Sequence, residues 1–294
     1  MSRKFSIFLI IVFTVILFLI GGGYYFSELI LFPNINCNSD HHVFCTDPSE
    51  LGLQFEEVDI PTSDGLVTKS WFIPGKFQDK AIVVVHGHGG SRNEGLRFAK
   101  GLNEIGYNLL LINLRRNSGG EATMGYKESM DVEKAIEFAI EEKKMKHIAL
   151  LGFSMGSATS ILVMARDERV EAGLFSSGYA NALDQLTETA KRDFGIPKFP
   201  MLYVVQTIVY LRSGTYLDSI SPETEITSIG KRPIGIMHCK EDNFVSSSHA
   251  YRLQSKATNL KMFYIPNCKD HERIWNFNPK ETMTEVSTFY TKNF

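Results

Sequence analysis

Residues 152–156 read Gly152-Phe153-Ser154-Met155-Gly156, a G-x-S-x-G pentapeptide that decides the fold. The run before it, residues 147–151, is short and apolar, as a buried strand would be. Residues 157–166 read as a helix. A serine on a sharp turn between strand and helix is forced into a strained backbone conformation, with its hydroxyl clear of the sheet. Glycine is needed on both sides because a side chain there would crowd the turn. The helix N-terminus behind the serine offers free N–H groups and partial positive charge, which suit an oxyanion. Five-residue patterns also arise by chance, so the flanking strand, the flanking helix and the downstream partners carry the argument.

Outward from the pentapeptide, strand-like and helix-like runs alternate. Residues 55–60 and 66–73 flank Thr62-Ser63-Asp64-Gly65, a hairpin signal. Residues 81–85 form a β-branched apolar run, expected of a central parallel strand. Residues 92–105 predict a helix, 107–114 a strand, 126–142 an amphipathic helix and 170–176 a strand. Residues 233–238 and 261–265 predict two more strands around a helix at 247–257, and 279–291 a closing helix. This alternation predicts an α/β domain with a mostly parallel central sheet flanked by helices. Residues 181–229 break the pattern without a clear strand, and a structureless loop of that length would be improbable. They predict a small helical cap. Its segment 201–211 is apolar almost all round, so it must be buried or cover an apolar ligand.

A serine nucleophile needs a base, and the base an orienting carboxylate. In such sheets functional groups gather at the carboxyl ends of the strands. Asp242 follows the strand 233–238 and His271 follows 261–265, so Ser154, Asp242 and His271 stand in the chain order that accompanies this motif. Glu241 is a weaker rival acid, and the side chain of Asp270 points away from its neighbour's ring. His86-Gly87-His88-Gly89-Gly90 closes the strand 81–85. The backbone N–H groups of His88 and Met155 are the expected oxyanion donors. His41, His42 and His147 lie far from the strand ends, His249 reads as solvated, and His238 as packed in its strand. No carboxylate or third histidine is spaced to make a metal site of His86 and His88. Neither a metal nor an organic cofactor is expected.

The chain has 294 residues, 44% hydrophobic and 22% charged, with a formal net charge of −2. That balance gives no reason to expect a nucleic-acid partner. Arg3 and Lys4 precede an uncharged stretch, residues 5–26, long enough to cross a bilayer as a helix, with Tyr24, Tyr25 and Phe26 placed as an interfacial belt. No Lys or Arg recurs until Lys69, which puts the N-terminus in the cytoplasm and the remainder outside it. A signal peptide cleaved near Gly21-Gly22-Gly23 is the rival reading, but the apolar run exceeds the usual signal core. The expected organisation is an anchor at 1–26, a stalk at 27–52 and a catalytic domain at 53–294.

From residue 55 onward the chain resembles the α/β-hydrolase superfamily. The likeness rests on residues 86–90, on residues 152–156, and on Asp242 and His271 in their places. It looks most like exported or membrane-anchored bacterial esterases of the serine-aminopeptidase-like branch, as do Ser118-Gly119-Gly120, Thr123, Gly125, Glu128 and Asp131. Where such relatives often carry D-x-R-G-H-G, this chain reads Asn113-Leu114-Arg115-Arg116-Asn117-Ser118. The resemblance implies hydrolysis of an ester, thioester or amide in a small-molecule or lipid-like acyl substrate. A peptidase, an acyltransferase or a catalytically silent binding module would use the same frame. It also makes the strands before Asp242 and His271 neighbours, which brings Cys239 and Cys268 within reach of each other, bonded or as reduced core thiols. Cys37 and Cys45 would form a local pair.

Overall fold

A computed structural model describes residues 3–35, 37, 45–271 and 274–294. His41 and His42 lie outside the described residues. Eight strands form one sheet: β1 (Glu56–Pro61), β2 (Val67–Ile73), β3 (Lys80–Val85), β4 (Asn108–Ile112), β5 (His147–Phe153), β6 (Val170–Ser176), β7 (Ile234–Met237) and β8 (Leu260–Tyr264). Their order is β1-β2-β4-β3-β5-β6-β7-β8. The β1–β2 hairpin and the β2–β4 pair are antiparallel, and β4 through β8 run parallel. This is the predicted fold class. The central strands β3 and β5 are buried along almost their whole length, as both faces of a parallel sheet require.

The helices are α1 (Arg3–Leu31), α2 (Leu96–Ile105), α3 (Tyr126–Glu141), α4 (Met155–Arg166), α5 (Ala182–Phe194), α6 (Tyr203–Ser213), α7 (Pro222–Glu225), α8 (Ser248–Lys256), α9 (Ile274–Phe277) and α10 (Pro279–Asn293). One sheet face is covered by α3, α4 and α8 through Val132, Ile136, Ile161 and Leu253. The other is covered by α2 and α10 through Phe98, Leu102, Val286 and Phe289. The expected cap consists of α5 and α6, with α7 leading back toward the sheet.

Helix α1 is long and apolar enough to cross a membrane. It also runs past Phe26, to Leu31. Ile30 and Leu31 join the main core, and Glu28 pairs with Arg212 of α6 at 2.6 Å. The sequence places a stalk here because Pro33 and the polar residues beyond it break the helix; the apolar residues before that break continue it. Gly22 and Gly23 let α6 close on α1: a Cβ at Gly22 would meet Met201 at 2.8 Å, and one at Gly23 would meet Val204 and Ile208 at 2.8 Å.

Candidate active site

Ser154 sits at the end of β5 with φ 50° and ψ −119°. That region is costly for a residue with a side chain. The turn persists because its surroundings leave no alternative. The Ser154 N–H donates to the carbonyl of Ser176 at 2.8 Å. A Cβ on Gly152 would lie 2.4 Å from the Gly156 carbonyl oxygen, and one on Gly156 would lie 2.2 Å from that of Val85. Both glycines are therefore obligatory for the close approach of strand and helix. Helix α4 starts at Met155, two residues ahead of the start read from sequence at Ser157, so the Met155 N–H is the first of the helix and has no carbonyl a turn behind it.

The structure brings Ser154, Asp242 and His271 together. His271 Nε2 is 2.8 Å from Ser154 Oγ, and its Nδ1 is 2.8 Å from Asp242 Oδ2. A carboxylate only accepts, so Nδ1 carries the hydrogen and Nε2 is left to accept from the serine hydroxyl. Asp242 Oδ1 accepts the N–H groups of Phe244 at 2.8 Å and Val245 at 2.9 Å. Burial pushes the Asp242 carboxyl up, but hydrogen bonds from His238 and His271 outweigh it and hold the group well below the usual carboxylate range. The two rival acids lie elsewhere. Glu241 pairs with Lys269 at 3.5 Å, and Asp270 accepts from Asn243 at 2.9 Å.

The loops that deliver Asp242 and His271 are joined. Cys239 and Cys268 form a disulfide with a Cα separation of 4.9 Å, and Cys37 with Cys45 forms a second at 5.5 Å. Beside the first, Lys240 N–H donates to Pro266 and Glu241 N–H to Cys268, each at 3.0 Å.

His238 does more than pack in its strand. It lies just beyond β7, is almost fully buried, and its Nε2 is 2.8 Å from the Val245 carbonyl and 3.3 Å from Asp242 Oδ2. The carbonyl requires a hydrogen on Nε2, which the carboxylate shares. Its spacing four residues before the acid is the only sequence signal for this contact. His249 is not solvated as expected: it is fully buried, because the first turn of α8 faces the core, where its Nδ1 accepts from Ala180 N–H at 3.1 Å. His147 pairs with Glu171 at 2.7 Å, far from Ser154.

His86 accepts the Leu114 N–H on Nε2 at 3.0 Å and donates from Nδ1 to the Gly87 carbonyl at 2.7 Å. It is a neutral structural group of the glycine-rich turn. His88 donates from Nε2 to the Ile30 carbonyl of α1 at 2.8 Å, so α1 is tied to the loop expected to hold an oxyanion. No group of three or more metal-ligating side chains occurs among the described residues.

The segment that departs from D-x-R-G-H-G has its own logic. Arg115 is buried, bonded to Asp131 at 2.7 Å and to Asp64 at 2.8 Å. Glu128 caps the start of α3 by accepting from Thr123 and Gly125. These contacts fix the turn that carries Met124 to the cavity.

That cavity measures about 240 Å³ and opens on Ser154. His88 and Met155 line it beside the serine. Its walls are apolar: Leu186, Phe194 and Ile196 come from α5 and its exit, Met201, Leu202 and Val205 from α6 and its approach, and Phe26, Leu29 and Ile30 from α1. A hydroxyl bonded to an imidazole, at the mouth of an apolar cavity and beside a helix N-terminus, is equipped for nucleophilic attack on an acyl carbonyl.

The family described as alpha/beta hydrolase fold matches residues 80–199. The Bacillus subtilis (strain 168) protein YqkD, which is uncharacterized, is 25% identical over 92% of this chain and 92% of its own length. Among solved structures, the Pyrococcus furiosus esterase Pf2001 superimposes with a TM-score of 0.70 at 21% identity, covering 90% of this chain and 97% of its own. The acylaminoacyl peptidase of Pyrococcus horikoshii gives 0.60 at 17% identity, covering 84% of this chain and 44% of its own.

Proposed function

We propose that this chain, which has the α/β-hydrolase fold, is a membrane-anchored serine hydrolase of carboxylic esters. The observation that carries this reading is the hydrogen-bonded row from Ser154 through His271 to Asp242, with 2.8 Å at each step. His271 takes the Ser154 proton as Oγ attacks the acyl carbonyl. The N–H groups of Met155 and His88 receive the developing oxyanion. His271 then passes its proton to the leaving alkoxide, which departs and leaves an acyl-enzyme. A water, deprotonated by the same nitrogen, attacks that acyl group, and the free acid leaves with Ser154 restored. Asp242 keeps His271 in the tautomer these steps require, and His238 helps to keep Asp242 ionised and in place.

Helix α1 serves as an uncleaved anchor with its N-terminus in the cytoplasm and the domain outside. Arg3 and Lys4 ahead of the apolar run support that orientation. The two disulfides support an oxidising compartment. The fit of Gly22 and Gly23 against α6 supports retention over cleavage there.

A fluorophosphonate probe tests the chemistry. The full chain should become labelled at Ser154, and p-nitrophenyl esters of rising chain length should be cleaved faster than aminoacyl anilides. Faster cleavage of the anilides would make it a peptidase, and no labelling would leave the fold as a silent platform.

A further inference from the structure

The apolar part of α1 is too short to cross a bilayer while the domain stands clear of it. Hydrocarbon is ~30 Å thick and a helix rises ~1.5 Å per residue, so crossing takes ~20 residues. Counted from Phe5, the first residue after Lys4, that run ends near Tyr24. Yet α1 is already against the cap before Tyr24: Gly22 meets Met201, Gly23 meets Val204 and Ile208, and Ile20 shares a groove with Phe199, Tyr203 and Leu211. Tilt would lengthen the run that crossing requires and draw the cap deeper.

The cap side chains at that level suit a lipid environment. Phe199 and Leu211 are 75% and 76% exposed, and Tyr203 is half exposed. The level of Ile20 lies about four residues, roughly 6 Å, inside the boundary at Tyr24, a depth typical of helices that lie in an interface. Polar contacts resume just beyond that boundary. Arg212 covers the Tyr24 ring at 4.5 Å and pairs with Glu28 at 2.6 Å. The active-site cavity begins at the same height, since Phe26 is one of its walls. Phe26 meets Phe194 edge-to-face at 5.0 Å, at the seam between α1 and the cap.

We propose that the cap is seated in the outer leaflet alongside α1, and that the cavity takes its acyl chain from a bilayer lipid through the seam at Phe26 and Phe194. The substrate is then an ester whose acyl chain already resides in the membrane. The substrate part of this inference rests on the hydrolase reading, and the seat of the cap rests on α1 as an uncleaved anchor.

The test uses the full chain reconstituted in dioleoylphosphatidylcholine vesicles. Among the described residues there is no free cysteine, so an environment-sensitive nitrobenzoxadiazole dye can be placed by Leu211→Cys or, as a control, by Lys146→Cys at the opposite end of the sheet. The dye at 211 should shift to the blue and be quenched severalfold by shallow spin-labelled lipid, and the dye at 146 should do neither. In parallel, the double variant Phe199→Asp/Leu211→Asp should keep fluorophosphonate labelling and hydrolysis of water-soluble p-nitrophenyl butyrate within about twofold of the parent. Its hydrolysis of p-nitrophenyl palmitate carried in the vesicles should fall at least tenfold. A dye at 211 that remains in water overturns the seat. Parent-level hydrolysis of the vesicle-borne palmitate by the double variant, or an equal loss on both esters, overturns the delivery. Failure of the parent to label at all would sink the hydrolase reading, and the dye would still report the seat of the cap.

Discussion

The cavity above Ser154 has a floor and a roof built on different physics. The floor is made of strand ends. Ser154, Asp242, His271 and the glycine-rich turn follow β5, β7, β8 and β3; backbone hydrogen bonds hold Ser154, Asp242 and the turn, and side-chain bonds to Ser154 and Asp242 hold His271. The roof is made of helices α1, α5 and α6, joined around the cavity mainly by apolar contact, with Phe26 against Phe194 as one seam. Hydrogen bonds have direction and defined length, whereas apolar contact has neither. On the proposed function, the floor specifies which atom reacts, and the roof specifies which acyl group fits. The comparison can be broken by variants that damage one and spare the other.

The largest effect is expected in the floor. Ser154→Ala should lower ester hydrolysis by about six orders of magnitude, the scale seen when such a nucleophile is removed. Fluorophosphonate labelling should vanish while urea unfolding changes little. Asp242→Asn should cost about four orders, because His271 would then favour the wrong tautomer. Parent-level hydrolysis by either variant would remove that residue from the mechanism.

The disulfide between Cys239 and Cys268 belongs to the floor and acts on stability. It closes a loop with a sequence separation of 29. The double change to alanine should lower unfolding free energy by about 3–4 kcal/mol on the chain-entropy estimate. Urea unfolding measures it, and a loss below about 1 kcal/mol would mean that the neighbouring backbone bonds suffice.

How much could be read in advance divides along the same line. The strands, the turn at Ser154 and the pairing of Asp242 with His271 were legible because glycine, β-branched runs and chain order leave marks on sequence. His238 was not, because a contact between a buried ring and a carboxylate follows from the bend after β7, which residue types do not announce. His249 was misread as solvated because one short helix carries too little periodicity to show which face is inward. In the roof, the apolar segment 201–211 was expected to be buried or to cover an apolar ligand, and Met201, Leu202 and Val205 are buried and line the cavity. The part played by α1 was hidden, since exposed and cavity-facing leucines and phenylalanines look alike in a hydropathy profile.

A pH experiment probes the floor from beneath. Burial pulls the His86 imidazole down to about 4 from the ordinary 6.5. The folded protein therefore stays neutral at His86 over that interval, while the unfolded chain gains a proton below 6.5. Stability from this group is complete above pH 6.5 and is lost as pH falls toward 4, by about 3 kcal/mol in all. Urea unfolding of His86→Gln should show a flatter dependence on pH between 6.5 and 4 than the parent. An unchanged slope would assign the acid sensitivity to other groups.

The smallest effect should lie in the roof, and it is selective rather than disabling. Leu186 is a half-buried wall of the cavity on α5. Leu186→Trp should occupy space that a long acyl chain would use. An apolar pocket distinguishes chains by roughly 1–3 kcal/mol per methylene accommodated or refused. The ratio of kcat/KM for p-nitrophenyl octanoate over acetate should therefore fall about 10- to 100-fold. Turnover of the acetate and the rate of fluorophosphonate labelling should stay near those of the parent, because the floor is untouched. If both esters slow equally, roof and floor are mechanically coupled, and the division drawn between them fails. If neither slows, the acyl group lies along another wall, and Leu29 on α1 becomes the next position to fill.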